Sequence, residues 1–133
     1  MRYLLDTSIM SALVRDPRGR VAERIRDVGE ANVCTSIIVA AELRYRASKK
    51  GSTRLSAQLE LVLGVFEGLP FDAPSDAVYG DIRAQLERAG QPIAGNALLI
   101  AAHALANACT VVTDSQREFQ RVQDLKVENW LRA

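Results

Sequence analysis

The chain has 133 residues, a formal net charge of +1, and 48% hydrophobic against 25% charged residues. That balance predicts one globular domain spanning residues 1–133 and excludes a disordered chain. With so little net charge, any surface for nucleic acid has to come from local clustering.

Tyr3, Leu4 and Leu5 form a short apolar run that suits a strand buried on both faces of a parallel sheet. Asp6, Thr7 and Ser8 follow it directly. In an open α/β sheet, ligands bind beyond the carboxyl ends of the strands, so Asp6 is placed to hold a metal ion. It is equally placed to cap the next helix, and the stretch alone does not separate the two roles. Ile9, Met10, Leu13 and Val14 then recur at helical spacing until Pro17–Gly19 interrupts them. Val21, Ile25 and Val28 mark a second helix. Arg15, Arg18, Arg20, Arg24 and Arg26 decorate this region, either as an RNA-facing patch or as an ordinary solvated face.

Asn32–Thr35 reads as a second strand, and Ser36 as the N-cap of a helix carrying Ile37, Val39, Ala40, Ala41 and Leu43. Glu42 lies in that helix. On the apolar side it would need a partner or a metal, and on the exposed side it would pair with Arg46 at i+4. Lys49–Thr53 is a polar break, and Leu55 to Phe66 form another apolar helix. Leu69–Phe71 is read as an extended piece, with a helix starting near Asp72 and Pro74 and stopped by Gly90. Ala97–Ala106 is apolar nearly all round and predicts a buried helix, with His103 as a hydrogen-bonded core histidine. That stretch is too short to span a membrane, and the N-terminus lacks a signal peptide. Thr110–Thr113 predicts another parallel strand, followed by Asp114 and Ser115; Leu125–Val127 predicts an edge strand. Cys34 and Cys109, in apolar contexts, read as buried reduced thiols. The alternation predicts an α/β fold with a mostly parallel central sheet sandwiched by helices, in a soluble cytoplasmic protein.

Two strands thus end in an acid, Asp6 and Asp114, and parallel strands point those ends to one edge. Hard oxygen ligands of this kind suit Mg²⁺, with Mn²⁺ as the alternative. Such ions serve phosphodiester cleavage. A phosphoacceptor receiver or phosphatase-like domain also uses strand-end Asp residues. It is excluded because Asp6-Thr7-Ser8 has no second acid at the neighbouring alternate position and no Lys follows the Val111-Val112 strand end.

The order and spacing of several motifs resemble the PIN-domain ribonucleases, specifically the VapC toxins of bacterial toxin–antitoxin pairs. The resemblance runs over essentially the whole chain. It is carried by Leu4-Leu5-Asp6-Thr7-Ser8, by Ser36 with Ala41-Glu42-Leu43, and by Ile82-Arg83-Ala84-Gln85-Leu86-Glu87 with Pro92-Ile93. Leu99-Ile100-Ala101-Ala102-His103-Ala104, Val112-Thr113-Asp114-Ser115, Arg117-Glu118-Phe119 and Val127-Glu128-Asn129-Trp130 complete it. It implies a Mg²⁺-dependent endoribonuclease that cuts structured RNA such as tRNA. Asp6 and Glu42 would be metal-binding acids, and Asp114 or Ser115 would face the metal at the last strand end. Thr7, Ser8, Asn96 and Thr113 would be supporting polar groups. It also implies a homodimer, a VapB-type antitoxin crossing the toxin surface, and promoter DNA contacted through that antitoxin.

One position departs. The family places a third acid immediately before the Leu-Leu-Ile-Ala-Ala run, where this chain has Ala97. A methyl group cannot bind a cation, so this copy is expected to be impaired. The change would be either deliberate, to permit expression, or the mark of a naturally inactive paralogue. A catalytically dead module that binds antitoxin or RNA is the alternative. Arg15, Arg18, Arg20, Lys49, Lys50 and Arg54 are the basic residues available for RNA contact.

Overall fold

The computed structural model describes residues 1–132; Ala133, the last residue of the expected unit, lies outside them. Five strands, β1 (Arg2–Leu5), β2 (Val33–Ser36), β3 (Glu67–Leu69), β4 (Cys109–Val112) and β5 (Val127–Glu128), form one sheet in the order β3-β2-β1-β4-β5. Every pairing is parallel. Helices α1 (Thr7–Arg15), α2 (Arg20–Val28), α3 (Ile37–Lys50) and α4 (Thr53–Leu63) pack on one another, while α5 (Ser75–Arg88) lies along α6 (Gly95–Ala106). The short α7 (Gln116–Phe119) precedes β5. The expected α/β sandwich is therefore the observed one.

The order places β1 at the centre, with β2 on one side and β4 on the other. Leu4 pairs with both Cys34 and Val111, and Leu5 with both Thr35 and Val112. All six are at most 1% exposed, which is why these strands read as unbroken apolar runs. The chain leaves β1 toward β2 but returns from β3 to β4 across it. That reversal opens a crevice beyond the ends of β1 and β4, where open α/β sheets bind ligands.

Several boundaries differ from the sequence reading: β4 is Cys109–Val112 rather than Thr110–Thr113, α4 is Thr53–Leu63 rather than running to Phe66, and three others have a visible cause. Asn32 belongs to a short 3₁₀ turn (Glu30–Asn32) after Gly29, whose φ of +93° favours glycine, so β2 starts one residue later. The third strand is Glu67–Leu69 rather than Leu69–Phe71. Pro70 has no N–H for a ladder, and its carbonyl faces His103 instead. Asp124 at φ +69° turns the chain, leaving β5 as Val127–Glu128 rather than Leu125–Val127. Cys34 and Cys109 are both buried and free. Among the described residues, no helix is long and apolar enough to cross a membrane.

His103 sits fully buried on α6. Its Nε2 lies 3.0 Å from the Pro70 carbonyl oxygen, and its Nδ1 lies 2.7 Å from Ser36 Oγ. A carbonyl only accepts, so Nε2 carries the hydrogen and Ser36 donates to Nδ1 in the neutral ring. Ser36 Oγ also accepts from the Ile38 N–H, tying α6 to the start of α3. Burial holds the His103 pKa below its ordinary 6.5, partly offset by the Pro70 carbonyl and nearby Asp72. The unfolded chain then binds a proton that the folded ring refuses, so stability is full above pH 6.5 and falls as the pH drops below it. Thermal midpoints taken from about pH 7.5 down to about pH 5 should decline, and His103→Gln should flatten that decline. An equal slope in both proteins would assign it to other groups.

Candidate functional site

Asp6 continues the ladder beyond β1, its N–H donating to the Val112 carbonyl at 3.0 Å. Its side chain caps the next helix and also faces a cavity. Oδ1 accepts from the Ile9 N–H at 3.1 Å, capping α1, and from Ser8 Oγ at 2.7 Å. The same carboxylate borders a cavity of about 340 Å³ at the crevice between β1 and β4. Asp6 is only 5% exposed. Burial raises its pKa, against the opposing effect of the Thr113 and Ser8 hydroxyls and the Ile9 N–H. A buried carboxylate in this state favours a neighbouring cation.

Glu42 reaches the cavity from α3, with its side chain 18% exposed. Oε1 accepts from Thr7 Oγ1 at 3.1 Å and from Asn96 Nδ2 at 3.3 Å. Oε2 accepts from Arg46 Nη2 at 2.6 Å, so the i+4 pair forms at the solvent-facing wall of the cavity. Glu42 thus pairs with Arg46 while still facing the cavity.

The first turn of α6 supplies Asn96 and Ala97 to the same cavity. That turn contains no acid and no side-chain cap, so its free N–H groups leave a positive helix end beside the two carboxylates. Ser115 and Glu118 complete the opposite wall.

Asp114 is turned elsewhere. Its Oδ1 accepts from Asn129 Nδ2 at 3.0 Å and lies 3.7 Å from Arg132 Nε. Only its backbone joins the site, donating to Ser8 Oγ at 3.1 Å. Thr113 is buried, its hydroxyl accepting from the Ser115 N–H at 2.9 Å. The structure therefore brings together Asp6, Thr7, Ser8, Glu42, Asn96, Ala97 and Ser115, and leaves the Asp114 carboxylate outside the cavity lining. Of the basic residues, Arg20 donates to the Leu131 carbonyl and Lys49 lies over the Tyr45 ring; Arg15 and Lys50 border a neighbouring trough.

Two wall residues had no site role in the sequence reading. Arg46 appeared only as an ion-pair option for Glu42, and Glu118 only as part of a motif. The spacing of Ser115 to Glu118 across one helical turn was the available signal, because residues three apart share a face.

Asp6 and Glu42 are hard oxygen donors on a cavity with room for water. That fits Mg²⁺ or Mn²⁺ held by one or two carboxylates with several waters retained, and not a full protein cage. Among the described residues, no group of three or more His, Cys, Asp or Glu side chains is arranged to hold a metal ion.

Comparison with known proteins matches this arrangement to a family. The PIN domain model matches residues 3–125. The chain is 36% identical over 132 residues to ribonuclease VapC2 of Rickettsia felis, covering 98% of each. It is 32% identical over 131 residues to the tRNA(fMet)-specific endonuclease VapC of Shigella flexneri, again covering 98% of each. Its fold superposes with a TM-score of 0.90 and 34% identity on a chain of Rickettsia felis VapBC2, a complex bound to a promoter DNA fragment, covering 98% of this chain and 99% of that one. With a model match across most of its length and relatives above 30% identity end to end, the chain belongs to the PIN-domain family, among its VapC toxins.

Proposed function

We propose that this chain is a VapC-type toxin built as a Mg²⁺-dependent endoribonuclease, acting on structured RNA such as tRNA, in a copy whose catalysis is impaired by Ala97. One observation carries the reading. Asp6 from a strand end, Glu42 from α3 and the first turn of α6 converge on one cavity, with Ala97 at the point where the α6 wall faces it.

The residues present divide the work. Ser8 and the Ile9 N–H fix one Asp6 oxygen, and the carboxylate, with the Thr113 hydroxyl beside it, keeps an edge on the cavity for a cation. Thr7 and Asn96 hold Glu42 Oε1, which sets the angle at which that carboxylate meets the cavity. A divalent ion, when bound, would supply charge stabilisation to a phosphodiester under attack by water. Mn²⁺ is the alternative to Mg²⁺. Asp6 and Glu42 are its proposed ligands, with Ser115 and Glu118 bordering its waters. Asp114 is assigned instead to backbone support of Ser8, its carboxylate being held by Asn129 near Arg132.

The promoter-bound VapBC2 complex of Rickettsia felis supports a VapB-type antitoxin as partner, with promoter DNA reached through it. A homodimer, one domain over the chain and a cytoplasmic location belong to the same reading. A second reading is a catalytically dead module that binds antitoxin or RNA, and Ala97 in place of an acid is what favours it.

The deciding experiment incubates this chain and its Ala97→Asp variant with total tRNA and Mg²⁺, with and without EDTA. Cleavage by the variant alone, stopped by EDTA, establishes a disabled ribonuclease. Failure of both, with binding to a VapB-type partner intact, establishes the binding module.

A further inference from the structure

A second cavity adjoins the first. It is a trough of about 210 Å³ between α1, α3 and α4, floored by Leu43, Leu55 and Leu59. Its rim carries Arg15, Arg46 and Lys50, and no Asp or Glu lines it. For a chain with a net charge of +1, three cations lining one trough, only Arg46 of them paired with an acid (Glu42, outside the lining), is a marked local concentration. The described ion pairs give neither Arg15 nor Lys50 a carboxylate partner.

Arg46 belongs to both cavities. Its Nη2 holds Glu42 Oε2, but a guanidinium has five N–H donors in a planar fork. The remaining edge stays free for an oxyanion without releasing Glu42, and with its side chain 54% exposed the group is open to a ligand.

We propose that this trough is an RNA subsite, in which Arg46, Arg15 and Lys50 bind backbone phosphates flanking the cleavage position and the Leu floor takes a base. The proposal rests on the endoribonuclease reading and deepens it. Because Arg46 lines both cavities, the trough adjoins the catalytic cavity and offers a path for nucleotides that flank a linkage seated there. Successive phosphates of that strand would each find a cation among Arg46, Arg15 and Lys50. Bases have apolar faces that lie on apolar floors while their phosphates stay with cations at the edge. The absence of any lining acid suits a polyanion along the whole trough.

The probe is labelled unfractionated tRNA, bound at equilibrium to the Ala97 chain as it stands and followed by fluorescence anisotropy over a salt series. The double variant Arg15→Gln/Lys50→Gln leaves the catalytic cavity untouched. A control, Arg88→Gln/Lys126→Gln, removes the same charge from exposed positions outside both cavities. We expect the trough variant to weaken binding about 10-fold near physiological salt and to flatten the log K against log salt slope by about 1.5. The control should change neither by a comparable amount.

Equal loss in trough and control variants, no loss in the trough variant, or no tRNA binding by the parent each overturns the subsite. Loss of binding to a synthetic acidic amphipathic peptide, with RNA affinity unchanged, reassigns the trough to a protein partner and also overturns it. The two readings fail separately. If Ala97→Asp cleaves RNA but adding the trough changes leaves KM unchanged, the ribonuclease stands and the subsite falls. If the trough variant loses tRNA while Ala97→Asp never cuts, RNA binding stands and the nuclease reading falls.

Discussion

Replacing Ala97 by Asp is expected to raise Mg²⁺-dependent RNA cleavage by at least about 10²-fold, because misplacing catalytic groups by roughly 1 Å costs that much. The gain should appear in kcat, with KM for RNA little changed, since Ala97 is proposed to act on ion placement rather than on RNA affinity. The backbone is ready for the substitution. Ala97 is the third residue of α6, and its first turn contains no acid, so an Asp there meets a favourable helix end. Ala97 is half-buried on the cavity wall, and the new carboxylate has open space in front of it. A third carboxylate beside Asp6 and Glu42 also repels them, so the variant alone should be no more stable than the parent. Mn²⁺ should then raise its thermal midpoint more than it raises the parent's, by linkage to binding. A variant that neither cuts tRNA nor gains a larger Mn²⁺ response would mean that Ala97 is not the missing ligand position.

The sequence was legible where one physical demand fixed each residue. Leu4-Leu5 and Val111-Val112 are buried on both faces, as a central parallel strand requires, and each run is short and directly followed by polar residues. Ser36 was legible as a cap because its hydroxyl serves an α3 N–H, as observed. Asp6 and Glu42 were ambiguous because each alternative was physically sound, and the structure shows that the alternatives are not exclusive. A capping carboxylate keeps a second oxygen, and an ion pair with Arg46 does not prevent Glu42 from facing the cavity. What the sequence concealed was side-chain direction at strand ends. Thr113, not Asp114, follows β4 as Asp6 follows β1, so Asp114 lies one residue further on, where Asn129 and Arg132 draw its carboxylate away. Those partners come from beyond β5, and no local pattern announces them. Arg46 and Lys50 likewise lie far from Arg15 in sequence, so their common trough exists only after α1, α3 and α4 pack.

Asp6→Asn in the Ala97→Asp protein is expected to abolish cleavage, by on the order of 10²–10³-fold or more, while making the metal-free protein more stable. The two effects share one cause. Asp6 is 5% exposed, and burial raises its pKa, so the folded state disfavours the charge that the proposed cation requires. Folding carries the cost of that buried charge until a cation offsets it. Asn removes the charge while keeping the structural work. Its Oδ1 still accepts from the Ile9 N–H and from Ser8 Oγ, and Asn caps helices as well as Asp does. The new amide N–H faces the Thr113 hydroxyl or cavity water, so no buried donor is stranded. The midpoint of metal-free unfolding should therefore rise, by roughly 3–5 °C for each kcal/mol relieved in a chain of this size. The sign of the pH effect follows. An acid with a raised folded-state pKa loses stability as the pH climbs from its unfolded value, 3.8, through the folded one, and Asp6→Asn should remove that loss. The Mn²⁺-induced rise in midpoint should disappear in the same variant. A stabilised protein that no longer responds to Mn²⁺ identifies Asp6 as a residue whose charge is kept for the ion at the expense of the fold. A destabilised one would make Asp6 chiefly the cap of α1, and would return the weight of metal binding to Glu42 and its neighbours.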